Sequence, residues 1–184
     1  MVLEEILIHA KNLNYLGKPP VQDHISNAKG FIQTINELET GLTKGRLVDL
    51  GSGGGVPALI LIDYFKKWEF LLIERKEKRA EFLSWAIKKL NTGKRIEIIC
   101  DEVENVARNS EYEATIDFVT ARSFAPPPIT AECACRFLKK NRYLVVSEPP
   151  NTTNRWENSA LKETGFIPLK ATKQENGTFQ VLEL

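Results

Sequence analysis

The chain has 184 residues, 42% hydrophobic and 27% charged, and its 25 basic and 24 acidic side chains leave a net charge of +1. Such a composition excludes wholesale disorder, and the balanced charge excludes a uniformly basic nucleic-acid binder while leaving room for a local basic face. No apolar run approaches the ~20 residues of a membrane-crossing helix, and the opening residues lack the basic and apolar regions of a signal peptide, so a cytoplasmic protein is expected.

Leu3–Ala10 reads as a short amphipathic helix, broken by Gly17-Lys18-Pro19-Pro20, and His24–Leu38 as a second helix with Phe31, Ile35 and Leu38 on one face. These form an N-terminal helical extension over residues 1–44, and a second unit covers 45–184. There, apolar strands alternate with helices. Strands are expected at Arg46–Leu50, Glu69–Glu74, Arg95–Cys100, Thr115–Thr120 and Tyr143–Ser147. Helices are expected from Val56, over Lys78–Leu90, over Glu102–Ala107 and over Ile129–Leu138. After a Pro-Asn-Thr loop at 150–152 comes a helix over Trp156–Thr164. Phe166–Leu169 and Thr178–Leu184 close the chain as strands. The pattern predicts an α/β fold with a mostly parallel, seven-stranded sheet and helices on both faces. Ligands then bind at the carboxyl ends of the strands.

The strongest motif is Asp49-Leu50-Gly51-Ser52-Gly53-Gly54-Gly55, directly after the first strand. Glycines at 51, 53 and 55 let the backbone turn tightly and approach a ligand. Val56 stands where a dinucleotide fingerprint needs its last glycine, and no Lys-Ser/Thr follows to make a P-loop. The remaining pattern, D-x-G-x-G-x-G, is typical of S-adenosylmethionine sites, and Asp49 can accept from the ligand's ammonium or act through water. Glu74, at the end of the next strand, can accept from both ribose hydroxyls, since a carboxylate offers two oxygens and no donor. After the third strand, Val103 and Glu104 can read the adenine edge through their backbone while Val103 packs on its face. After the fourth strand, Thr120–Pro128 places Arg122 where it can clamp a carboxylate or phosphate. Three prolines stiffen that loop, and Phe124 can stack on a flat substrate or fill core. Of the three cysteines, Cys133 and Cys135 lack a second ligand pair, so neither zinc nor a disulfide framework is expected, and no other metal site is visible.

Taken together, these segments resemble the glucose-inhibited division protein B (GidB, or RsmG) family. The matching pieces are Asp23-His24-Ile25, Val48–Pro57, Glu74 with Lys78–Leu83, Val103-Glu104 and Ala121–Ala125. The resemblance implies a Rossmann-like class I fold that uses S-adenosyl-L-methionine to methylate N7 of a guanine in 16S ribosomal RNA. It places Gly51, Val56, Val103, Glu104 and Arg122 against the cofactor. The implied partner is 16S rRNA or the small ribosomal subunit, met by a monomer. Where the family has lysine-glycine after the fifth strand, this chain reads Ser147-Glu148-Pro149-Pro150. That carboxylate keeps alternatives open: another RNA, a small molecule, or a non-catalytic binding module. No catalytic residue is expected, because an aromatic nitrogen with an exposed lone pair has no proton to lose. His24 reads as a structural hydrogen-bonding residue at a helix start. Candidates for a basic RNA-facing rim are Lys66-Lys67, Arg75-Lys76, Lys78-Arg79, Lys88-Lys89 and the run from Arg136 through Lys139-Lys140 to Arg142.

Overall fold

The central parallel strands are buried along nearly their whole length, as strands covered on both faces must be. A computed structural model describes residues 2–38, 40–150, 155–157, 161–169, 171–175 and 177–184. The parallel strands are β1 (Arg46–Leu50), β2 (Glu69–Ile73), β3 (Ile96–Ile99), β4 (Ile116–Arg122) and β5 (Leu138–Ser147). Three C-terminal strands follow: β6 (Ile167–Pro168), β7 (Thr172–Gln174) and β8 (Gly177–Glu183). The sheet order is β3-β2-β1-β4-β5-β8-β6, with β7 also on β8, and β8 runs antiparallel to β5. The sheet thus has eight strands rather than the expected seven. The additional one, β7, is a short polar edge segment that periodicity does not mark.

Alternation along the strands splits the core in two. Leu47, Phe70, Leu72, Phe118 and Val145 face one cluster, while Val48, Leu71, Ile73, Val119 and Leu144 face the other. The first cluster is covered by α1 (Val2–Asn12), α2 (Val21–Glu37), α3 (Ala58–Tyr64) and α4 (Glu77–Leu90). The second is covered by α5 (Val103–Val106) and α6 (Pro127–Phe137). Residues of the N-terminal helices therefore share one hydrophobic cluster with the sheet, and Phe31 of α2 meets Phe179 of β8 edge-on at 4.9 Å. The switch point falls between β1 and β4, whose carboxyl ends open toward the same side.

Three boundaries differ from expectation for local reasons. The second helix begins at Val21, directly after Pro20, because proline is well placed just before a first turn. Pro127 and Pro128 belong to the first turn of α6 rather than to a stiff loop, since no backbone N–H is needed there. β5 starts at Leu138, which already pairs with Ile116 before a shift in register. Of the helix expected over Trp156–Thr164, residues 158–160 lie outside the described ones, and those on either side form bends and turns. The loop expected at 150–152 lies largely outside the described residues as well.

Candidate active site

The turn after β1 is built from main-chain bonds. The Ser52 N–H donates to the Ile73 carbonyl at 3.0 Å and the Gly55 N–H to the Ser52 carbonyl at 2.8 Å. Gly51 has φ +67°, in the left-handed region, and a Cβ there would come within 3.0 Å of the Phe124 ring. The Gly53 N–H donates to Glu74 Oε2 at 2.8 Å, while Glu74 Oε1 accepts from the Lys76 N–H at 2.8 Å. Glu74 is 4% exposed, so the two main-chain donors fix a nearly buried carboxylate at the end of β2.

Gly51, Glu74, Val103 and Glu104 come together on one cavity of about 350 Å³, with Arg75, Arg79, Phe124 and Ile129 on its other walls. A second, larger cavity of about 780 Å³ adjoins it across Ser123-Phe124-Ala125, and its lining includes His24, Asn27, Arg122, Glu148 and Trp156. Arg122 therefore stands in the second cavity, not with the other predicted residues. Phe124 borders both cavities, so it serves as a partition more than as core.

Asp49 does not reach either cavity. It is 1% exposed, and its Oδ1 accepts from Thr120 Oγ1 at 2.7 Å. Burial pushes its carboxyl up to about 6, against the opposing pull of Thr120 and the Arg122 charge. A direct bond from Asp49 to a ligand ammonium thus finds no opening here. Gly55 and Val56 also stand back: a Cβ on Gly55 would overlap the Leu59 side chain, and Val56 belongs to the core. Gly53 sits behind Glu74 rather than on the cavity wall.

His24, 3% exposed, joins α2 to the end of β4. Its Nδ1 accepts from the Arg122 guanidinium at 2.8 Å and its Nε2 lies 3.3 Å from the Gly17 carbonyl, which fixes the neutral tautomer with the proton on Nε2. Burial and the neighbouring Arg122 and Lys11 charges hold its pKa below the ordinary value, with the Gly17 carbonyl and Asp23 opposing.

Glu148 is held by a cation and an indole donor. Its side chain is 8% exposed, with Arg155 Nη1 at 3.3 Å and Trp156 Nε1 donating at 2.7 Å. The carboxylate that kept other acceptors open is therefore charge-compensated. Basic runs divide in the same way. Arg75, Lys76 and Arg79 line the first cavity, where Arg75 pairs with Glu102 at 3.2 Å. Lys139 and Arg142 turn instead to Asp117 at the opposite end of β4, at 2.9 and 3.2 Å, and Lys66 pairs with Asp63. That part of the expected rim is engaged in local ion pairs.

Arg75, Lys76 and Arg79, expected on an RNA-facing rim, stand on the wall of the first cavity instead. Asn27, Ser147 and Trp156 of the second cavity were given no site role by the sequence, since no motif marks them. Buried Cys133 has its thiol pushed up to about 12 by burial, and Cys100 is exposed. Among the described residues no group of three or more His, Cys, Asp or Glu is placed to hold a metal, and no helix is long and apolar enough to cross a membrane.

A solved S-adenosylmethionine-dependent methyltransferase from Aquifex aeolicus matches with a TM-score of 0.67 at 16% identity, over 96% of this chain and 97% of that one. The sheet order with its strand-end cavities is the Rossmann-like fold of S-adenosylmethionine-dependent methyltransferases. More narrowly, the profile of the GidB family, rRNA small subunit methyltransferase G, matches residues 7–166, and the chain belongs to that family. Two curated relatives bear the name ribosomal RNA small subunit methyltransferase G. The one from Dictyoglomus thermophilum is 33% identical over 122 residues, 66% of this chain and 50% of the relative. The one from Thermotoga sp. strain RQ2 is 36% identical over 123 residues, 67% of this chain and 52% of the relative. The chain spans about half the length of the curated relatives it matches.

Proposed function

We propose that the chain binds S-adenosyl-L-methionine in the first cavity and transfers its methyl group to N7 of a guanine in small-subunit ribosomal RNA presented through the second. The observation that carries this reading is the nearly buried Glu74 carboxylate, fixed by the Gly53 and Lys76 N–H groups on the wall of a cavity that Gly51 leaves open. The donor set suits such a nucleoside. Glu74 would accept from the ribose hydroxyls. The apolar Val103 would cover the adenine face, with the Val103 and Glu104 backbone at its edge. Gly51 would lie beneath the sulfur-bearing chain, and Arg122 would take the carboxylate of the amino-acid end. Asp49 would act from below, through its charge on Arg122.

The bound cofactor supplies a methyl group already activated by its sulfonium. The chain's residues then need only to hold the two reactants in line and exclude water. Phe124, between the cavities, is placed to set that alignment. No side chain is needed as a general base, since guanine N7 carries a lone pair and no proton. The second cavity is large enough for a single extruded base. Lys76 and Arg79, beside the first cavity, are the cations that would meet an RNA phosphate there, Arg75 being paired with Glu102.

The test is transfer from radiolabelled S-adenosylmethionine to small ribosomal subunits from a strain lacking the family enzyme. Label confined to guanine N7 of 16S rRNA is the expected result. Label in other RNA or only in small metabolites overturns the acceptor, and binding without transfer to any fraction overturns the activity.

A further inference from the structure

We propose that His24 is a positioning residue that aims the Arg122 guanidinium at the carboxylate of the cofactor's amino-acid end. The inference rests on the reading that the first cavity holds an S-adenosyl nucleoside. Arg122 is a half-buried cation on which the buried Asp49 carboxylate acts through space, but among the described residues no carboxylate makes a direct ion pair with it. Its short bond goes instead to the neutral imidazole of His24 at 2.8 Å. A neutral acceptor gives a guanidinium direction without cancelling its charge, so the charge stays available for an anion. An adenosyl group in the first cavity would send its amino-acid end past Phe124, the partition it shares with the cavity containing Arg122.

The imidazole is itself held from behind. Its Nε2–H points to the Gly17 carbonyl, and Lys11 Nζ donates to the Gly17, Lys18 and Pro19 carbonyls at 2.6, 2.7 and 2.6 Å. A chain of contacts thus runs from α1 through the 17–19 loop to α2 and on to the end of β4. In this arrangement the N-terminal helices orient a ligand-binding cation.

A structural clamp between α2 and β4 would use the same bonds, so the test separates the two roles by ligand and by substitution. His24→Asn keeps an acceptor near the Nδ1 position. His24→Gln places its amide near Nε2, keeping the Gly17 contact and losing the acceptor for Arg122. His24→Leu loses both. Calorimetry measures S-adenosylhomocysteine, which carries the carboxylate, and 5′-methylthioadenosine, which lacks it. Loss of a hydrogen bond to a charged group is expected to weaken S-adenosylhomocysteine by about tenfold or more in the Gln and Leu variants. The expected change for methylthioadenosine is under about twofold, and Asn restores S-adenosylhomocysteine to within about threefold. If Leu fails to fold, the Asn–Gln pair still decides. Equal losses for both nucleosides, or unchanged S-adenosylhomocysteine affinity in Gln, overturn the positioning role. A wild-type protein that binds neither nucleoside overturns the cofactor reading on which it rests.

Discussion

The buried Asp49 carboxyl makes the stability of this fold depend on pH in an unusual direction. Its pKa rises from 3.8 to about 6 in the folded chain, mainly by burial. Between those values the native state keeps a proton that the unfolded chain has released. Stability therefore falls as pH rises through this window, the reverse of a salt-bridged carboxylate. At about 1.4 kcal/mol per pH unit, the rise corresponds to about 3 kcal/mol lost between pH 3 and 7. Asp49→Asn removes the titration while its Oδ1 can still accept from Thr120, which donates at 2.7 Å in the wild type. Urea unfolding of both proteins at several pH values isolates this group, because every other titration is common to the pair. Relative to wild type, the Asn variant should be about 3 kcal/mol better off at pH 7 than at pH 3. A flat difference, or one that favours wild type as pH rises, would refute the argument that burial dominates over Thr120 and Arg122.

Three other substitutions probe separate parts of the structure. Glu74→Gln sets an amide against the Gly53 or Lys76 N–H, both at 2.8 Å. It should weaken S-adenosylhomocysteine by about tenfold or more by calorimetry, and unchanged affinity would remove Glu74 from the site. Gly55→Ala introduces a Cβ into the space of buried Leu59, at φ +86°. The cost should be about 1–3 kcal/mol by urea denaturation, and an unchanged midpoint would contradict the close packing there. Asp117→Ala strands the Arg46 N–H, Lys139 and Arg142, each within 3.2 Å of the carboxylate. Stability should fall by about 3 kcal/mol, with nucleoside affinity unchanged because the cluster lies at the far end of β4. A selective loss of affinity would show that this end communicates with the cavities.

The charge-compensated Glu148 bears on the choice of acceptor. In isolation a carboxylate after β5 argues against an anionic partner. Its neighbours Arg155 and Trp156 change that local balance, and the second cavity carries Arg122 as well. Arg155 and Trp156 are distant enough along the chain that no motif links them to Glu148.

What the amino-acid order determined by itself is the scaffold of the site. Arg46–Leu50 and Glu69–Ile73 are apolar runs short enough to read as buried parallel strands, and each ends at chemistry-bearing residues. The Asp49–Gly55 turn and Glu74 are local features, legible because backbone conformation and hydrogen-bonding capacity belong to the residues themselves. Only tertiary structure decided which of them face a cavity. Asp49, at the end of a strand, was consigned to the interior by Thr120 of a neighbouring strand. Gly30, unremarkable within its helix, is small because the Phe179 ring lies against it from β8. Arg122 acquired its direction from His24, 98 positions earlier in the chain. Such contacts join groups far apart in sequence, and their geometry follows from how helices and strands pack, which no local pattern of residues encodes.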